Sequence, residues 1–124
     1  MLTLKNEVFE NERFFEALRK LNQWEDLPAS DAWKLRGITK NTMEQLALFN
    51  SVKDDLCNRY GTKSEDGLQW YFEGENTKTF KTEFDDLLKQ EFQINNNKVN
   101  YPKGLKMSAA QMELIEPLVN FDEL

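Results

Sequence analysis

Apolar positions change their period several times along the chain, and each change marks an element. Phe14, Leu18 and Leu21 recur at i, i+4 and i+7, which predicts a helix over residues 11–21 with Asn11 or Asn6 at its cap. Before it, Met1 to Leu4 reads as a short strand or an extended arm. Pro28 disfavours helical geometry at Leu27 and suits the first turn of a new helix. From there the pattern predicts one helix over about 29–60, roughly 45 Å long at 1.5 Å per residue.

Ala32, Leu35, Leu46, Phe49, Leu56 and Tyr60 run along this helix near a seven-residue rhythm. Thr39, Thr42 and Lys53 interrupt the stripe, while Trp33, Ile38, Met43 and Val52 widen it beyond a coiled-coil seam. Packing against the first helix is the expected cover, and a self-associating helix pair is the alternative. Gly37 costs about 1 kcal/mol relative to alanine in a helix interior, so it marks a close neighbour or a bend. Gly61 reads as a left-handed helix cap.

The second half is shorter in rhythm. Leu68-Gln-Trp-Tyr-Phe-Glu73 is rich in strand formers, and alternation sends Leu68, Trp70 and Phe72 to one face, expected to be core. Phe80, Phe84, Leu87 and Leu88 return to helical spacing. Glu91–Asn95 and Val99–Tyr101 read as a hairpin about the Asn95–Lys98 turn. Ser108 and Gln111 have capping-box spacing ahead of Met112, Ile115, Leu118 and Val119, and Pro117 ends or kinks that helix near Glu116. Phe121 and Leu124 are candidate anchors for the tail. The predicted fold is α+β and mostly helical, in one domain over residues 1–124. It comprises an N-terminal helical hairpin with one long helix, a small β-sheet with a covering helix, and a C-terminal helix.

Charge narrows the function classes. The net charge is −6, divided into −1 over residues 1–60 and −5 over residues 61–124. Such a balance argues against nucleic acid as the partner. No apolar run reaches the ~18–20 residues of a membrane span, and the N-terminus lacks the apolar region of a signal peptide, so a cytoplasmic product is expected.

Candidate chemistry is sparse. Histidine is absent, and the single cysteine, Cys57, lies in the last turns of the long helix, where the dipole disfavours a thiolate. Asp54-Asp55 and Asp85-Asp86 are adjacent pairs whose side chains diverge by about 100° on a helix. Glu12 and Glu16 share a face without a second acidic helix at matching spacing. The five glycines are scattered, with no phosphate loop. These features point to no enzyme, no metal and no cofactor. The remaining signal is aromatic and basic. Trp24 and Trp33 flank the interhelical break, with Arg36 and Lys40 following on the long helix. The two tryptophans either pack over that loop or stand exposed, and the four residues are the candidate protein-binding set.

The order of Leu27-Pro28, Ala32-Trp-Lys-Leu-Arg-Gly-Ile-Thr-Lys40, Arg59-Tyr-Gly61, Phe84-Asp-Asp-Leu-Leu-Lys-Gln-Glu-Phe-Gln-Ile94 and Leu105–Leu118 resembles a family of small tailed-bacteriophage proteins of unknown function. The resemblance implies a viral origin and carries no agreed activity or functional residues. The expectation is a non-catalytic protein acting through protein contacts, as a virion component or assembly factor. Its partner would be phage-encoded or a second copy of itself, in the host cytoplasm or the virion. The alternative is a small acidic inhibitor of a host or anti-phage defence protein.

Overall fold

A computed structural model describes residues 1–121. Its order is β1 (Leu2–Lys5), a 3-10 turn (Asn6–Glu10), α1 (Glu12–Gln23), α2 (Ala29–Tyr60), β2 (Thr62–Lys63), β3 (Trp70–Tyr71), α3 (Glu75–Lys89), β4 (Glu91–Ile94), β5 (Val99–Asn100), α4 (Ala109–Ile115), a second 3-10 turn (Glu116–Leu118) and β6 (Val119–Asn120). The fold is α+β and mostly helical, as the pattern predicts. Leu124 lies outside the described residues, while Phe121 rests on Tyr101 with ring centres 5.1 Å apart.

Local chemistry accounts for the ends of the helices. Asn11 Oδ1 accepts from the Arg13 N–H at 3.1 Å and starts α1. Ser108 and Gln111 form the expected reciprocal box at α4. Gly61 is not a left-handed cap, because its φ is −111°. Space is the reason for glycine there. A Cβ would meet the Cys57 carbonyl oxygen at 2.8 Å and the Phe72 ring at 2.9 Å.

The single small sheet and its expected hairpin resolve into three two-stranded ladders. β4 pairs antiparallel with β1, setting Leu2 opposite Ile94 and Leu4 opposite Phe92. All four side chains turn to the core, a burial that a turn at Asn95–Lys98 does not supply. β5 pairs in parallel with β6, and β2 forms a two-residue hairpin with β3. That hairpin is too short to bury Leu68, which is 83% exposed, against the expectation from alternation.

The long helix does not use α1 as its main cover. α1 packs chiefly on α4, and α2 leans chiefly on α3. Length explains the difference. Twelve residues of α1 span about 18 Å, against about 48 Å for the 32 residues of α2, so α1 reaches only the first turns. The seam of α2 is Leu35, Thr42, Phe49 and Leu56, at strict seven-residue spacing and all buried. Thr42 fits because its hydroxyl donates to the Ile38 carbonyl at 2.7 Å, so no polar atom is left unpaired.

Most of the aromatic content is internal. Phe72 stacks on Phe80 at 4.1 Å and Phe80 on Phe84 at 5.6 Å. Phe84 approaches Phe49 at 6.2 Å, Phe49 meets Phe9 at 5.5 Å, and Phe9 stacks on Phe92 at 5.3 Å. The rings form a continuous ladder from the β2–β3 end to the main core.

Candidate functional site

The outer face of α2 carries three of the four residues singled out in the sequence. Trp33, Arg36 and Lys40 stand at i, i+3 and i+7, which brings them to one side of the helix. With Gly37 and Asn96 they line an open cleft of about 320 Å³. Trp33 is 80% exposed, an unusual position for the largest apolar side chain.

Gly37 makes the cleft possible. Asn96, from the loop after β4, reaches over it and donates from Nδ2 to the Lys34 carbonyl at 3.3 Å. A Cβ at position 37 would lie 2.7 Å from that amide nitrogen. The glycine therefore marks a close neighbour rather than a bend. Sequence reasoning missed Asn96 itself. The only available signal was the glycine, which announces an approach without naming what approaches.

Trp24 sits differently. It is half-buried, and its ring passes 3.5 Å from where a Cβ on Gly104 would be. It borders a second depression with Asn22, Leu27, Ala32 and Arg36, so Arg36 is common to both hollows. All four predicted residues thus lie on one stretch of surface, with Trp33 as the projecting member and Trp24 as a wall.

Charge in the Trp33 cleft opposes that of the whole chain, while the depression beside Trp24 also holds Glu25. Arg36 and Lys40 are the charged members of the Trp33 cleft, and it holds no carboxylate. Among the described residues neither cation forms an ion pair; the pairs present are Lys53–Glu10 at 2.9 Å and Arg59–Glu83 at 3.9 Å.

Other hollows and polar groups are structural in character. One, of about 600 Å³, lies between β1, the first 3-10 turn and α4, and mixes Lys5 and Arg13 with Glu7, Glu91 and Glu113. Gln111 is buried between α1 and α4, accepting from Lys20 Nζ at 3.0 Å and donating to Glu16 Oε2 at 3.1 Å. Glu16 is thereby committed to a helix contact. Cys57 is buried, and burial pushes its thiol above the ordinary value, with Lys53 opposing and Asp54 reinforcing the rise. Asp66 accepts from the Ser64 hydroxyl and the Leu68 N–H, which lowers its carboxyl and orders the loop between β2 and β3.

Among the described residues no group of three or more aspartate, glutamate or cysteine side chains is placed to hold a metal ion. None of the described helices is long and apolar enough to cross a membrane. No protein-family model, curated protein or solved structure matches the chain.

Proposed function

We propose that this chain is a non-catalytic protein that works by binding another protein through the Trp33, Arg36 and Lys40 surface, with Trp24 beside it. One observation carries the reading: a tryptophan 80% exposed on a long helix, flanked by two cations that form no ion pair among the described residues. Tryptophan and arginine are enriched among the residues that dominate protein interfaces: tryptophan buries a large rigid area, and arginine presents a planar fork of donors. The setting proposed is a tailed-bacteriophage infection, as a virion component or assembly factor in the host cytoplasm or the particle. That setting rests on the resemblance in segment order alone.

Affinity capture with the tagged chain, compared with Trp33→Ala, tests the surface. The expected loss is ~1–4 kcal/mol of binding. A partner retained at full affinity by Trp33→Ala and by Arg36→Ala removes this surface from the reading. Mass spectrometry of purified virions tests the virion version, which falls if the chain is never found there.

A second reading, an acidic inhibitor of a host or defence protein, draws on the other end of the molecule. Asp85 and Asp86 are exposed on α3, and residues 61–124 carry −5. A basic groove on the target would fit them, and the complex would weaken with salt. Capture from host lysate that recovers phage proteins and no host protein counts against it.

A further inference from the structure

Three polar residues are buried among the described ones: Asp31, Thr42 and Gln111. Thr42 donates to the Ile38 carbonyl, and Gln111 joins Lys20 to Glu16. Asp31 is only 5% exposed, yet its carboxylate makes no hydrogen bond and no ion pair among the described residues. Of the three it is the one whose burial alone costs most, because it is the charged one. Its place in the first turn of α2 suits the helix dipole, but that interaction needs no burial, and no side-chain cap bond is made there. Every fully covered side-chain oxygen among the described residues has a partner. The oxygens of Asp31 therefore hold what exposure the residue keeps. The surface on which they open is a hollow of about 350 Å³ between the start of α2 and the loop after β5.

We propose that this hollow binds a guanidinium group, with Asp31 as the carboxylate that receives it. Its size falls within the ~300–1,000 Å³ of small-molecule sites. Trp24, Leu27, Tyr101 and Pro102 line it beside Asp31. The Tyr101 hydroxyl is already engaged, donating to the Leu105 carbonyl at 2.6 Å, so it does not serve the carboxylate. Exposed Asp26 and Lys103 stand at the rim, which leaves the hollow with one negative charge in excess. Lys103 forms no ion pair with either aspartate. A carboxylate with both oxygens unbonded accepts the two parallel N–H bonds of a guanidinium. That cation is also weakly hydrated and stacks on aromatic rings, which suits apolar and aromatic walls better than a strongly hydrated ammonium does. The guanidinium can come from a free small molecule or from an arginine side chain of another protein. The site shares only Trp24 with the proposed protein-binding surface and does not depend on the Trp33 cleft.

Titration of the full chain with acetyl-arginine-methylamide, followed through the Trp24 indole N–H by two-dimensional NMR, tests this. Trp24→Phe assigns the signal. The expected result is a saturable shift. Capped citrulline, the neutral isostere, is expected to bind about tenfold or more weakly, and Asp31→Asn to lose about as much for capped arginine. Circular dichroism checks that the variant is folded; if it is not, the citrulline comparison on the unaltered chain decides alone. Methylguanidinium separates the two sources. Equal affinity assigns the site to free guanidinium compounds, much tighter binding of capped arginine assigns it to a protein side chain, and either upholds it. No saturable shift at millimolar ligand overturns the proposal, as does equal binding of capped arginine and capped citrulline. Binding that appears only in Lys103→Gln overturns it too, because Lys103 is then the carboxylate's own partner. None of these failures touches the reading of the Trp33 cleft.

Discussion

The two halves of α2 are held in different ways. Around its first turns, α1, α4, β1 and β4 close a core in which Phe14, Ile38, Ile94, Ile115 and Leu118 have no exposed surface. Toward its last turns the cover is α3 and the β2–β3 hairpin, and α3 has no fully buried residue. The first region is sealed on several sides. The second is one helix laid on another, joined to the core through the Phe72–Phe80–Phe84–Phe49 ladder and by the Asn6 side chain, which donates to the Leu87 carbonyl at 3.0 Å. A long helix can thus be global core at one end and a locally stabilised arm at the other. Local opening free energies follow buried contact, so the arm opens first.

Phe14→Ala separates the two regions most strongly. It removes a fully buried ring and is expected to cost ~3–5 kcal/mol of global stability, read from denaturant midpoints. Phe80→Ala is the matched change in the arm. It breaks both stacking contacts of that ring and is expected to cost about 1–3 kcal/mol. Its signature is local: hydrogen exchange speeds up in α3 and the hairpin and stays unchanged in α1. Equal acceleration in α1 would mean that the molecule has one cooperative unit and no separate arm.

Gly37→Ala is expected to shift stability by less than about 1 kcal/mol, since helix propensity gained is offset by displacing the flexible end of Asn96. Combined with Asn96→Ala, it is expected to stabilise by up to ~1 kcal/mol, measured by thermal melting. Lys53→Ala tests the link between α2 and the first 3-10 turn. Its partner Glu10 is 39% exposed, so the loss is expected to stay at or below about 1 kcal/mol.

Alkaline pH gives the smallest separation. Burial raises Cys57 above 9.0 in the arm and Tyr101 above 10.0 in the body. The unfolded chain therefore releases both protons first, and the stability these groups leave intact below those values declines as pH rises through them. Cys57→Ala is expected to flatten the start of that decline in pH-dependent denaturation curves. An unchanged slope would place the cause elsewhere.

Much of this was legible from the order of residues. The start of the long helix at Pro28, the Asn11 cap, the Ser108–Gln111 box and the stop at Pro117 all follow from local chemistry. Local signals act over a turn or two, and one chain displays them fully. Residues three and seven apart on a helix share a side, so the grouping of Trp33, Arg36 and Lys40 was equally readable.

Tertiary structure decided what each surface meets. It chose β1 over β5 as the partner of β4, because two leucines far away in the chain had to be buried. It gave Gly37 its neighbour, made Gly61 a matter of space rather than of backbone sign, and left Leu68 in solvent. It turned Trp33 outward and Trp24 half inward, although both belong to the same loop region of the sequence. Periodicity specifies a side of an element and is silent about what lies across from it. That choice depends on which distant segments exclude the most apolar surface from water together, a property of the whole chain.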